Sequence, residues 1–290
     1  MTLKNFIKHI LPGKLFVWII HLYELIPIKS IRAAIREQKL LPIYDQLMKI
    51  VPDITHQYSS FDVDTEYLRI ATRAQHSFQI SLVNEALQLV RSSPEDKLTI
   101  VDIGDSAGTH LQYIKGLYQD RKIRSLSVNI DSEAVARIKD KGLEAICARG
   151  EDLASLSIEA DIFLSFEMLE HLPNPCEFLH NLSQTKCKAL VISVPYLARS
   201  RVGLHHIRGS QKRHVNPENT HIFELSPEDW RLIFKHSGWA VATDKIFLQY
   251  PKRSPFRFWL KSYWRRHDFE GFYGAILNPD KTWSELYNGW

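Results

Sequence analysis

From residue 98 onward the chain alternates between short apolar runs and helical stretches, and that alternation constrains its fold more than any other feature. Leu98–Ile103 (LTIVDI), Ser125–Ile130 (SLSVNI), Asp161–Phe166 (DIFLSF) and Lys188–Val194 (KALVISV) are short apolar runs that read as strands. Ala145–Ala148 adds a shorter strand-like segment. Leu111–Tyr118, Ser132–Lys141 and Pro175–Leu182 carry helical patterns between them, and Ser132 is the expected cap of the second. Ser226-Pro227-Glu228-Asp229 opens a further helix, which Gly238 ends. Trp239–Leu248 and Asp268–Leu277 read as closing strands. Strands alternating with helices imply an α/β fold with a parallel sheet and right-handed crossovers. Ligands of such sheets sit outside the carboxyl ends of the strands, so those ends are where chemistry is expected.

Residues 1–92 read as a helical extension and 93–290 as the main domain. Tyr67–Val90 places Leu68, Ala71, Ala74, Phe78, Leu82, Ala86 and Leu89 at helical spacing and stops at Arg91-Ser92-Ser93-Pro94. Leu15–Ile28 (LFVWIIHLYELIPI) is apolar but contains His21 and Glu24 and is expected to break at Pro27. It falls short of the roughly 20 apolar residues of a spanning helix. It reads either as a helix packed on the body or as an interfacial helix, with Trp18 and Tyr23 at headgroup depth and Lys14, Lys29, Arg32 and Arg36 on phosphates.

The net charge of +4 is distributed unevenly. Residues 1–40 carry +5 and residues 251–266 carry +6, which leaves −7 for the rest. A mildly acidic body between two basic segments makes nucleic acid an unlikely partner and suits an anionic surface or substrate. Three cysteines without CxxC spacing (Cys147, Cys176, Cys187) indicate a reducing compartment and no structural metal. The expected location is cytoplasmic, with peripheral membrane contact through residues 1–40 in the interfacial reading.

The first strand runs into Asp102-Ile103-Gly104-Asp105-Ser106-Ala107-Gly108, a glycine turn without the GxGxxG of dinucleotide sites. Such a turn is either a mere tight turn or a place where backbone approaches a ligand. Asp131 follows Asp102 by 29 residues at the second strand end; it suits a ribose diol, or a helix N-terminus. Ala148–Leu153 (ARGEDL) and Phe166–Pro175 (FEMLEHLPNP) come next.

In this order the four segments resemble class I S-adenosylmethionine-dependent methyltransferases over about residues 95–250. EMLEHLPNP is especially similar to the ubiquinone-biosynthesis type of O-methyltransferase, and His221–Trp239 (HIFELSPEDWRLIFKHSGW) is similar to the family's lead into its last core helix. The resemblance implies a Rossmann-like seven-stranded sheet, parallel except for one strand, with S-adenosyl-L-methionine as methyl donor. It places Asp102, Gly104 and Gly108 around the methionine part, Asp131 on the ribose, Gly150 and Glu151 by the adenine, and Ser165 and Phe166 near the sulfonium. Ser106 stands where the family has a central glycine, so the turn differs or Ser106 adds a contact.

A hydroxyl acceptor must lose its proton, and histidine suits that role. Residues 196–225 hold His205, His206, His214 and His221, and the expected base is His206, then His205, His221 or His171. Arg199, Arg201, Arg208, Lys212 and Arg213 in the same stretch suit an anionic acceptor. Residues 247–290 hold 13 aromatics; they read as an aromatic subcore, or as a surface for sugars, phosphates or a membrane interface. The expected function is methylation of a small-molecule, glycan or lipid-linked hydroxyl. The competing readings are a non-catalytic scaffold and a nucleic-acid methyltransferase.

Overall fold

The computed structural model describes residues 13–58, 62–90, 97–153, 155–203 and 220–287, with side chains from residue 25 onward, His267 excepted. Seven strands form the central sheet: β1 (Leu98–Ile103), β2 (Ile123–Asn129), β3 (Glu144–Cys147), β4 (Ile162–Phe166), β5 (Ala189–Pro195), β8 (Trp239–Leu248) and β9 (Gly271–Pro279). Their order is β3-β2-β1-β4-β5-β9-β8, and β9 runs antiparallel to both neighbours. Two short strands, β6 (Arg201–Val202) and β7 (Phe223–Glu224), pair separately. The strand order reverses between β1 and β4, which opens a crevice at their carboxyl ends.

Near-continuous apolar strands follow from burial on both faces. Ile100, Ile162, Leu164 and Val191 enter one hydrophobic cluster, while Val101, Phe163, Leu190 and Ile192 enter the other. The first cluster packs under α1 (Gly13–Glu37), α2 (Leu41–Ile50), α3 (Glu66–Leu89), α4 (Thr109–Leu117) and α5 (Ser132–Asp140). The second packs under α6 (Pro175–Ser183) and α7 (Pro227–His236). The N-terminal helices thus share a core with the sheet.

Three local expectations change. α1 continues through Pro27 to Glu37 instead of breaking there. A proline removes one backbone donor, and here packing outweighs that loss. Ile28, Ile31, Ala34 and Ile35 are buried, and the Gln38 side chain bridges the N–H and C=O of Leu248. The cap of α5 is Asp131, not Ser132, since the Asp131 carboxylate accepts the Glu133 N–H at 2.9 Å. The aromatic C-terminal segment divides between both readings: Tyr250, Trp264 and Tyr273 are buried, whereas Phe256, Phe258 and Trp259 on and before α8 (Arg257–His267) are exposed.

Candidate active site

The turn after β1 puts its left-handed residues at Gly104 (φ +90°) and Gly108 (φ +72°). Ser106 is not among the positive-φ residues, which is how a serine is accommodated there. Gly104 is exposed at the mouth of the crevice, and its N–H donates to Val128 O. Gly108 lies against α5 and the chain after it, where a Cβ would come within 3.0 Å of Leu143 and 3.2 Å of Ile138.

A cavity of about 80 Å³ opens beside this turn. Asp102, Gly104, Ser106 and Phe166 line it together with Asp105, His110 and Glu167. Gln75, His76 and Gln79 of α3 form its other wall. The His110 imidazole has Nδ1 at 3.3 Å from Asp102 and 3.8 Å from Asp105, and its ring centroid is 4.9 Å from that of Phe166. Its Nε2–H donates to Gln79 Oε1 (2.9 Å), Gln79 Nε2 donates to Ser193 Oγ (2.9 Å), and Ser193 Oγ donates to Glu167 Oε1 (2.7 Å). Glu167 itself sits at φ +50°, a strained backbone for a glutamate.

Burial and the neighbouring Asp105 charge push Asp102 up to about 6, and burial pushes Glu167 up to about 7. Burial opposes a charged His110, but the Asp102 contact, with Asp105 and Glu167, outweighs it and raises that imidazole. Burial, then His110 and Arg73, holds His76 neutral, well below the usual range. One oxygen each of Asp102 and Asp105 is buried without a hydrogen-bond partner. Three carboxyls around so small a space suit the cationic end of a ligand.

The remaining expected residues are distributed along the same edge. Asn129 pairs with Cys147 in the β2–β3 register, and Asp131 and Gly150 follow those strand ends. Asp131 is half-buried and spends one carboxylate oxygen on its cap. Gly150 is required by packing, because a Cβ would lie 2.9 Å from Ile103 and 3.0 Å from Phe178. Glu151 pairs with Arg149 at 3.2 Å. Ser165 is fully buried.

A second cavity, of about 560 Å³, lies beyond the end of β5. Tyr196, Arg199, Arg201, Arg265 and Phe269 contribute to its lining. Phe269 stacks on His221 (centroids 5.3 Å, planes 21° apart), and His221 meets His171 edge-on at 4.7 Å. His221 Nδ1 is 3.1 Å from Glu224 Oε1, and Arg201 also bonds that carboxylate. Burial resists the Glu224 charge, but bonds from His221 and Arg201 prevail and hold it down at about 2. His171 Nδ1 faces Thr220 O at 3.0 Å. Glu170 is buried with both carboxylate oxygens unbonded, and burial and then the Glu167 charge raise it well above the usual carboxylate range. His205, His206, Arg208, Lys212 and Arg213 lie outside the described residues.

Two groups among the described residues bring three ligand-type atoms within 4.8 Å: Glu170, His171 and His221, and Asp102, Asp105 and His110. The Asp102, Asp105 and His110 group lines the 80 Å³ cavity, whereas the Glu170, His171 and His221 group meets the 560 Å³ cavity through the stack of His221 on Phe269.

Sequence reading did not single out His110, Glu167 or Gln79. One signal for Gln79 was present: Gln75, His76 and Gln79 interrupt the apolar pattern of α3 one turn apart.

A family model described as a methyltransferase domain matches residues 72–243, more than half of the chain. No curated protein matches. Among solved structures, one from Galdieria sulphuraria assigned as a sarcosine dimethylglycine methyltransferase is 10% identical, with TM-score 0.50, and covers 74% of this chain and 88% of its own. The 1,6-didemethyltoxoflavin-N1-methyltransferase of Burkholderia thailandensis, solved with 1,6-didemethyltoxoflavin and S-adenosylhomocysteine, is 11% identical, with TM-score 0.48, covering 86% and 89%. At such identity, likeness speaks for fold alone.

Proposed function

The chain belongs to the methyltransferase-domain family, of the class I S-adenosylmethionine-dependent type, and on that premise we propose that it methylates a hydroxyl of a glycan, a lipid-linked sugar or another small acceptor. The bound donor supplies an electrophilic methyl group on a sulfonium. The lining supports this: the 80 Å³ cavity has room only for the ammonium group of the donor's amino-acid end, between Asp102, Asp105 and Glu167. Gly104 lets the backbone close around that end without a side chain in the way. Asp131 keeps one oxygen beyond its cap, which suits the ribose hydroxyls, and Gly150 and Glu151, just after β3, are the residues we assign to the base.

The acceptor occupies the 560 Å³ cavity. Arg199 and Arg201 suit a phosphate or carboxylate, and Tyr196 and Phe269 offer aromatic faces to a sugar ring. Of the two expected bases among the described residues, His171 and His221, this geometry favours His221. With Nδ1 held by Glu224, its Nε2 takes the hydroxyl proton, and the carboxylate steadies the imidazolium that forms. The observation that carries the reading is one continuous contact: Phe269, in the acceptor cavity wall, stacks on His221, which packs on His171. Glu170 beside them senses the charge of Glu167 in the donor cavity.

The test is transfer of a labelled methyl group to cell-extract fractions separated into lipid, polysaccharide, protein and nucleic acid. Label in the lipid or polysaccharide fraction, lost in an Arg199→Ala variant, supports the reading. Label in nucleic acid overturns the choice of acceptor. Absence of label together with absence of donor binding favours a scaffold.

A further inference from the structure

The basic, aromatic end of α8 has no role in the chemistry above, and it is built in an unusual way. Phe256 is 71% exposed, Phe258 84% and Trp259 53%, three large apolar side chains in four positions. Phe256 and Trp259 line an apolar groove of about 600 Å³ between α1 and the chain that leads into α8, with Ile26, Ala33, Pro251 and Leu260, and Phe258 lies between them in sequence. Lys29 and Arg36 of α1, with Lys252, Arg253 and Arg257, stand exposed around it. Residues 251–266 contain no acid, and the first turn of α8 carries none. The carboxylate of Glu37 at the end of α1 is engaged by the backbone N–H groups of Lys252 and Arg253 at 2.8 and 3.1 Å.

We propose that this surface docks the enzyme on an anionic lipid bilayer, with Phe256, Phe258 and Trp259 inserted at headgroup depth and the surrounding cations on lipid phosphates. Charge selects the occupant. A second copy of the chain would set one cationic rim against another, and like charges facing each other repel. A neutral apolar partner would leave the rim without countercharge. A bilayer with anionic lipid meets both the aromatic tips and the rim. Contact stays at the surface, because no described helix is long and apolar enough to cross a membrane.

The position of the surface gives docking a consequence. α8 connects the end of the edge strand β8 to the start of β9, which pairs with β5, the strand whose end meets the acceptor cavity. Arg265, on the same helix, lines the acceptor cavity, about 10 Å of helix rise beyond Phe258. A membrane-borne acceptor headgroup would therefore be presented near that cavity. Docking itself rests on the surface and not on the proposed reaction.

The experiment is flotation of the full chain with vesicles of phosphatidylcholine alone and with phosphatidylglycerol added, at low and high salt. Binding is expected to the anionic vesicles and to weaken with salt. Phe256→Ser with Phe258→Ser should lower partitioning by roughly tenfold or more. Arg253→Glu with Arg257→Glu should lower it at least as far, since each cation near the surface contributes about 1 kcal/mol, or about fivefold. Donor titration of the same variants should match the parent, which shows that fold and donor site are intact. Absence of vesicle binding by the parent, or equal binding by both variants, overturns the proposal. So does a dimer in sedimentation that the serine substitutions dissolve without any vesicle binding by the parent.

Discussion

The imidazole Nε2–H of His110 donates to Oε1 of Gln79 at 2.9 Å, joining the first helix after β1 to the long helix α3 across the 80 Å³ cavity. Gln79 passes the connection to Ser193 on β5 and so to Glu167 after β4. Gln79→Ala would leave His110 Nε2 and Ser193 Oγ without these partners in a buried site. The unsatisfied His110 donor costs about 1–3 kcal/mol and the bond lost at Ser193, which still donates to Glu167, about 1 kcal/mol more, so the loss should be about 2–4 kcal/mol. Urea unfolding of the purified variant measures it; a loss below the error of that experiment would mean that water replaces the amide.

Donor affinity should rise with pH. Asp102 at about 6 and Glu167 at about 7 are partly protonated near neutrality because burial disfavours their charge. A cationic ligand favours the ionised carboxyls, so binding lowers both values and releases protons. Dissociation constants should therefore fall as pH rises from about 5.5 to 8 and level off above. Calorimetry in buffers of different ionisation enthalpy counts the protons directly; proton uptake on binding would reverse the assignment.

The same shift acts on stability, with a sign that can be checked. Glu167 has its ordinary value of 4.5 when unfolded and about 7 when folded. Between those values the native protein holds a proton that the unfolded chain has lost, so this group's contribution falls as pH rises through the window. Glu167→Gln should flatten that slope by up to about 1.4 kcal/mol per pH unit. Midpoints of chemical unfolding across the window give the comparison.

Asp131 has two tasks that substitutions can separate. Asp131→Ala should cost about 1 kcal/mol of stability through the lost cap and about 2–4 kcal/mol of donor affinity. Asp131→Asn keeps a capping oxygen and should affect donor affinity alone.

His221→Ala should lower turnover by about 10²–10⁴ with donor affinity retained. Glu224→Gln should lower it in the same direction, since the amide no longer stabilises an imidazolium. Chelators should leave the rate unchanged. A divalent-ion requirement would instead assign Glu170, His171 and His221 to a metal.

Much of the sheet was legible because both faces of each strand are buried, which leaves runs such as LTIVDI and KALVISV without polar interruption. The continuation of α1 through Pro27 is not legible locally, because residues that carry the helix onward, such as Ser30, and Gln38 at its end bond to chain more than 200 positions away. Asp131 displaced Ser132 as cap by one position, within the usual uncertainty of a helix start. His110, Gln79 and Glu167 meet only through the β1–β4–β5 register and the placement of α3, and no local pattern marks them as a set. Deleting residues 1–40 to test membrane contact would also remove Ile28, Ile31, Ala34 and Ile35 from the core, so surface substitutions on α8 are the cleaner route.

The central claim is that the acidic cavity at the ends of β1 and β4 holds the ammonium group of the methyl donor. Calorimetric titration of the parent, Glu167→Gln and Asp131→Asn with S-adenosylmethionine tests it most directly. The account predicts one site per chain, tight in the parent, weakened in both variants and accompanied by proton release. No binding by the folded parent, or equal affinity in all three proteins, would contradict it.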